Sequence, residues 1–342
     1  MKNKTILFAM PKDYSLSKLV IKNLELLGLD VVYINPGVQA KTDEFRYESS
    51  KQRLVSFYKK IISGNKNYKN KLRQDFYFKS KYKKIHTFDR YDYCLFIRAD
   101  FFDDDIIELC KSKSEKIVAF HYDGVNRNKE IFNKVNYFDS FFVFDKDDLK
   151  INSSFKFISN FYFDYPDEDK DKTIEHDFYF LGSHHNSRKD NIFKLHKKLS
   201  QISKKVKFEI VFDKPQYNEM PNYKKENIIC LPQIIDYELY LENTKKSKII
   251  IDLVINEHNG LSFRVFESLK YRKKLITTNK TVINYPFYNE NNILILDESN
   301  FEEISIFLQK PFIEINESII KTYSFTNWFQ NLYNIRPHTK IK

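Results

Sequence analysis

Between Asn256 and Asn279 the chain reads NEHNGLSFRVFESLKYRKKLITTN, and three positions in it are spaced to hold an anionic, hydroxyl-rich ligand. A strand runs into this segment, and Gly260 is expected to open a helix. The unpaired N–H groups of a helix start, at the positive end of its dipole, form a site for a diphosphate. Arg264, one turn on, can pair with a phosphate oxygen; Glu267, three residues further on the same face, can accept hydrogen bonds from two vicinal hydroxyls, as on a ribose. Taken by itself, the same spacing also describes an ordinary surface helix with an Arg/Glu pair.

Glycine is scarce, six residues in 342, so each one answers to a demand of the backbone. Gly182 ends the run HDFYFLGS, Gly124 follows KIVAFHYD, and Gly260 follows KIIIDLV by a short loop. In FYFLGSHHNSRKD, Gly182 and Ser183 let a ligand approach the backbone and Arg188 can neutralise a phosphate. His184 and His185 raise the question of a metal. Adjacent histidines on an extended segment point apart and no cysteine or carboxylate cluster accompanies them, so a loop role is expected and no metal site. At the end of another apolar run, HYDG offers His121 and Asp123 as proton acceptors, against turn or core roles for the same residues. Arg98 and Asp100, in the equivalent place after YCLFI, are candidate ligand contacts.

These residues have to be positioned by an alternation of strands and helices, which predicts α/β architecture with parallel sheets. In the first half, strands are expected at Thr5–Met10, Asp30–Ile34, Tyr93–Ile97, Lys116–Phe120 and Phe141–Phe144, with a helix over Ser15–Leu27 and one or two more in the basic segment. A charged stretch, FDYPDEDKDK, predicts a linker over 163–173. Beyond it, strands are expected at Asp177–Leu181, Lys207–Phe212, Asn227–Leu231, Lys248–Val254, Lys274–Thr278 and Asn292–Leu296, with helices at Lys189–Ser200 and Asp236–Asn243. The expected organisation is a Rossmann-like domain over 1–162, a second over 174–320, and a terminal helix and tail over 321–342. Doubly wound sheets bind ligands outside the carboxyl ends of their strands, so two in tandem are expected to face a shared cleft.

The run Gly260, Leu261, Ser262, Phe263, Arg264, Phe266, Glu267 followed by KKLITTN resembles the donor-binding motif of GT-B glycosyltransferases. It resembles in particular the bacterial lipopolysaccharide and capsule enzymes related to the CgeB-like group. FYFLGSHHNSRKD resembles the first strand and phosphate loop of the same C-terminal domain. The resemblance implies a nucleotide-sugar donor held by Gly182, Ser183, Arg188, Asn259, Gly260, Leu261, Ser262, Arg264 and Glu267, with Glu267 on the ribose. It implies a base from the N-terminal domain, Asp123 or His121, to take the acceptor hydroxyl's proton. Arg98 and Asp100 become acceptor contacts, and the terminal helix is expected to cross back to the first domain. Position 259, where the E-x7-E form of the motif has an earlier glutamate, is Asn259, with Glu257 two residues before it. The implied activity is metal-independent transfer of a sugar to a growing lipopolysaccharide, O-antigen or capsule glycan, without a cofactor. A nucleotide-sugar epimerase of the same fold and a non-catalytic glycan- or membrane-binding protein are the alternatives.

Composition is compatible with two packed domains: 42% hydrophobic residues, with 32 Phe, 23 Tyr and one Trp. Trp328, in the aromatic run YSFTNWFQNLY, is expected in the core. The three cysteines lack CxxC spacing and are expected as buried free thiols. No run approaches the ~20 apolar residues of a membrane span, and a cytoplasmic or peripheral location is expected. The net charge is +11, and from Lys51 to Lys84 twelve basic residues meet one acid, Asp75, interleaved with aromatics. An anionic membrane surface, a phosphorylated acceptor and nucleic acid all suit such a stretch, as does a plain solvated face. No nucleic-acid-binding motif is present, and no nucleic-acid partner is expected.

Overall fold

Short apolar runs bounded by polar or turn residues become strands buried on both faces, as parallel sheets require. In β1 (Lys4–Ala9), Ile6, Leu7, Phe8 and Ala9 are all fully buried. The computed structural model describes residues 3–12, 15–37, 45–62, 67–165, 173–297 and 300–341. With β1 in the first sheet are β2 (Leu29–Ile34), β3 (Tyr93–Ile97), β4 (Ile117–His121), β5 (Ser140–Val143) and β6 (Phe155–Phe157), in the order β2-β1-β3-β4-β5-β6. β1 pairs in parallel with β2 and β3, and β3 with β4.

The second sheet comprises β7 (His176–Ser183), β8 (Val206–Val211), β9 (Ile229–Leu231), β10 (Ser247–Asp252), β11 (Lys274–Thr277) and β12 (Ile293–Ile295). Its order is β12-β11-β10-β7-β8-β9, and all five pairings are parallel. Counted from β7, this is the 3-2-1-4-5-6 order of a doubly wound dinucleotide-binding sheet, whose direction of winding reverses between its first and fourth strands, β7 and β10. Phe178, Phe180, Phe208, Ile210, Ile249, Ile251 and Ile276 project from it into one apolar core with the helix Lys189–Ile202.

The chain divides into two compact units. One comprises Met1–Asp13, Leu24–His121 and Asn128–Phe141; the other comprises Tyr14–Asn23, Tyr122–Arg127 and Phe142–Lys342. The expected strands form within one or two residues of their predicted bounds. β6 was not expected: three residues, Phe-Lys-Phe, are too short a run to carry a period. Most of the expected linker, 166–172, lies outside the described residues. Trp328 is fully buried, packed on Phe161 and Phe325 at ring-centroid distances of 4.4 and 5.5 Å. All three cysteines are free thiols; Cys94 and Cys110 are buried, whereas Cys230 is only half-buried. Among the described residues no helix is long and apolar enough to cross a membrane.

Candidate functional site

In the second unit, a cavity of about 240 Å³ opens at the carboxyl ends of β7 and β8, beside the loop that follows β10. It therefore sits where the winding of the second sheet reverses, the position at which such sheets take ligands. Leu181, Gly182 and Ser183 end β7 and form one wall; Ser262, Phe263 and Arg264 form another. Tyr122, Phe144, Tyr237 and Tyr240 make much of the remaining lining aromatic.

Two guanidinium groups, far apart in sequence, reach this cavity. Arg188 donates to the carbonyl oxygens of Leu253 (2.9 Å) and Ser183, and Arg264 donates to Leu181 O and Asp252 Oδ1. Both lie 5.7 Å from the Phe180 ring centroid. Carbonyl dipoles orient a guanidinium without cancelling its charge, and Asp252 is shared with Ser262 Oγ (2.8 Å) and Thr277 Oγ1 (2.9 Å). The arrangement thus keeps positive charge at the cavity wall. Gly182 gives these groups room: a Cβ on it would come within 2.8 Å of the Phe180 ring and 2.9 Å of the Arg188 guanidinium and would displace one of them.

The helix after β10 runs over Phe263–Lys270 with Ser262 as its N-cap, so it starts later than Gly260. The glycine answers a different demand. A Cβ there would lie 2.5 Å from the Phe144 ring and 2.8 Å from its carbonyl oxygen, so the chain needs glycine for close approach and not for a helix start. The loop is pinned on several sides. Asn259 N donates to Asp145 (2.6 Å) and its side chain to Asp147 (2.9 Å), while Asn160 Nδ2 donates to Leu261 O (2.9 Å). Asn279 Nδ2 donates to the carbonyls of Asn259 and Gly260. Because Ser262 Oγ turns to Asp252, it makes no capping bond to the helix.

Of the sequence-predicted donor residues, Gly182, Ser183, Arg188, Ser262 and Arg264 line the cavity together. Asn259, Gly260 and Leu261 hold the loop, and Leu261 is buried. Glu267 is not on an open helix face. It is fully buried, and the hydroxyls of Tyr237 and Tyr240 donate to its two carboxylate oxygens, the latter at 2.5 Å. Burial pushes its carboxyl above the usual range, against the opposing pull of both hydroxyls and Arg264. Its position five residues into an eight-residue helix, on the side packed under Tyr237 and Tyr240, makes it the support of two cavity-lining tyrosines.

In the lining, the buried atoms Asn160 Oδ1 and His258 Nδ1 have no hydrogen-bond partner among the described residues. Burial lowers the His258 imidazole's affinity for a proton, with Asp123 and Asp145 pulling the other way. Asp123 accepts from Arg127 at 3.0 Å and is only partly buried. Tyr237, Tyr240, Asn160 and His258 were not singled out in the sequence. Asp236, which caps the helix Tyr237–Lys245, was the only local signal for the tyrosines.

His184 and His185 do point to different partners. His184 Nδ1 lies 3.0 Å from the Tyr223 hydroxyl and its ring stacks on Phe212, whereas His185 caps the turn Asn186–Arg188 and reaches Glu257 at 2.9 Å. In the first unit, Arg98 forks onto Asp100 at 3.0 and 2.9 Å, and Asn128 donates to Asp100 at 3.1 Å. Burial would raise the Asp100 carboxyl, but the Arg98 pair outweighs it and holds the group below the usual range. His121 is fully buried with Nδ1 3.7 Å from Asp100. These three form one buried cluster after β3 and β4.

No protein-family model matches the chain, and no curated protein does. Solved structures do. A UDP-forming α,α-trehalose-phosphate synthase from Burkholderia xenovorans matches over 98% of this chain and 99% of its own, with TM-score 0.55 and 10% identity. An α-glucosyltransferase solved with UDP and a 13-mer DNA matches over 90% of each chain, with TM-score 0.54 and 12% identity. A glycosyltransferase from Rickettsia africae matches over 97% of this chain and 98% of its own, with TM-score 0.50 and 15% identity. At such identities the likeness is one of fold: the chain has the α/β architecture of two Rossmann-like sheets found in GT-B glycosyltransferases.

Proposed function

We propose that this chain transfers a sugar from a nucleoside diphosphate donor to a hydroxyl of a growing surface glycan, of the lipopolysaccharide, O-antigen or capsule type. The observation that carries the donor part is the convergence of Arg188 and Arg264 on one cavity at the β7/β10 reversal. That placement meets a diphosphate with two fixed cations, and the unpartnered Asn160 oxygen suits a sugar hydroxyl. The cavity volume is just under the roughly 300–1,000 Å³ usual for ligand sites, so it takes part of a nucleotide-sugar and leaves the rest outside. The similar synthase forms UDP and the similar α-glucosyltransferase was solved with it, which makes UDP the first nucleotide to test.

In the proposed reaction the bond from the anomeric carbon to the β-phosphate oxygen breaks, and its electron pair leaves with the diphosphate. Arg188, Arg264 and the amides at the start of the Phe263–Lys270 helix receive that charge. A bond from the acceptor oxygen to the anomeric carbon forms, and the acceptor's proton passes to a carboxylate, for which Asp123 is the candidate if the configuration inverts. His121 is buried against Asp100, which favours Asp123 for this role. Glu267 acts by fixing Tyr237 and Tyr240.

Thermal stabilisation by a panel of nucleotides and nucleotide-sugars tests the donor assignment, since a ligand at 100 times its Kd adds about 2.7 kcal/mol. Absence of any shift, in a folded protein, overturns it. Product analysis with and without glycan acceptor then separates transfer from epimerisation. Turnover is expected to survive chelator, because arginines meet the departing charge.

A further inference from the structure

The helix Ser50–Ile61 is packed the wrong way round for a helix that faces only water. Leu54, Phe57, Tyr58 and Ile61 fall at the i, i+3, i+4, i+7 spacing of a single apolar stripe, which ordinarily turns to a core. Here they are 69%, 63%, 56% and 61% exposed, and Ile62 just beyond is 68% exposed. The side turned inward is mostly polar: Gln52, Val55 and Lys59 are half-buried and Ser56 is buried, with its hydroxyl 3.3 Å from that of Tyr47, and Lys59 lies over the Tyr68 ring at 4.2 Å. Helical projection places Arg53 and Lys60 along one border of the stripe and Lys51 along the other.

We propose that this helix docks the protein on an anionic lipid bilayer, lying in the plane of the interface with its stripe in the acyl boundary and its border cations on headgroups. An exposed apolar stripe rimmed by basic residues is the form of helix that binds there, through buried apolar area plus attraction to anionic lipid. The neighbouring helix Tyr68–Ile85 extends the basic surface, with Lys83 and Lys84 in its last turn and Phe78 and Tyr82 exposed and stacked. The other occupants fit less well. A second copy would bring two strongly basic helices together, at a cost in like-charge repulsion. A nucleic acid would satisfy the cations and stack on Phe57, yet leave the aliphatic Leu54, Ile61 and Ile62 without use. The proposal is independent of the glycosyl-transfer reading.

Vesicle co-sedimentation of the full chain tests it, with phosphatidylglycerol/phosphatidylcholine vesicles compared with phosphatidylcholine alone. Binding is expected only to the anionic vesicles, falling on going from about 0.05 to 0.5 M salt. L54S/F57S/I61S should weaken it roughly tenfold or more at low salt, and K51Q/R53Q/K60Q should weaken it and flatten its salt dependence. Because these side chains are exposed, melting temperatures of both variants should match wild type. F57W supplies a second readout: the native Trp328 is fully buried, so a blue shift and quenching by brominated lipid beyond wild type would place residue 57 in the acyl region. No vesicle binding, or equal binding by the L54S/F57S/I61S variant, overturns the proposal. Salt-sensitive binding of random oligonucleotides that survives this variant, or self-association that it abolishes, would overturn it in favour of nucleic acid or a second copy.

Discussion

The protein carries two sets of cations whose surroundings are opposite. Arg188 and Arg264 share the Phe180 ring and are tied by main-chain carbonyls, and Arg264 also by Asp252, so each is held in one orientation and largely withdrawn from bulk solvent. Lys51, Arg53 and Lys60 stand in water on the flanks of an exposed helix. Charges of the first kind act over a few ångströms and choose a ligand by shape. Those of the second act over about a Debye length, roughly 8 Å at physiological salt, and choose only the sign of a surface. The sum of +11 hides this division.

Breaking the first set should have the largest effect. Arg188→Ala removes a buried charge-assisted donor pair and is expected to weaken nucleoside diphosphate binding by roughly 10–150-fold, the equivalent of about 1.5–3 kcal/mol, measured by calorimetry. Arg188→Lys keeps the charge and loses the fork, so its affinity should fall between the two. Equal affinity of all three proteins would show that the cavity does not hold the phosphates. Next comes Glu267→Gln, which deprives one of the two tyrosine hydroxyls of its carboxylate oxygen. A loss of about tenfold in nucleotide affinity is expected, with a lower melting temperature. Tyr237→Phe should reproduce part of the affinity loss.

A smaller effect should be visible in pH. Burial, with repulsion from Asp145, raises the Asp148 carboxyl to about 6. A raised acid favours the folded state in its protonated form, so its contribution is intact below the unfolded value near 4 and lost as pH rises through about 6. Asp148→Asn should therefore gain melting temperature over wild type between pH 4 and 7, in a scan at fixed ionic strength. A difference that shrinks over that range contradicts the assignment. The smallest effect sharpens the comparison from the other side: K51Q/R53Q/K60Q should change nucleotide affinity by less than about twofold, at any salt, since exposed charges are screened.

Much of the fold was legible because parallel strands advertise themselves as continuous apolar runs, as KIIIDLV and YCLFI do. Gly182, Arg188 and Arg264 were legible because each follows such a run at a fixed short distance. Glu267 was found, but its surroundings were not, since nothing in its own helix announces the two tyrosines thirty and twenty-seven positions earlier that cover it. Asn160 and His258 reach the cavity through tertiary packing alone. Gly260 was read as a helix opener because a glycine before an amphipathic run looks like one; Phe144, which requires it, lies more than a hundred residues away. The exposure of Leu54, Phe57 and Ile61 was equally invisible, since an i, i+3, i+4, i+7 stripe ordinarily predicts a buried face.

Leu16 and Tyr122 line the cavity, yet they belong to two short segments, 14–23 and 122–127, that the second unit draws from the first half of the chain. A contiguous fragment starting at Phe142 would thus lack part of the cavity wall, however well its sheet folded. Synthesis imposes an order as well. At about 5–20 residues per second, the segment carrying Leu16 emerges on the order of 10–50 s before Arg264, and the nascent protein has to keep it uncommitted for that time. In a circular permutant beginning near residue 142 and carrying the original N-terminus behind residue 341, Arg264 would emerge first and Leu16 roughly 5–20 s after it, so the order of appearance is reversed. The rate at which nucleotide binding appears during refolding or translation would report whether it matters.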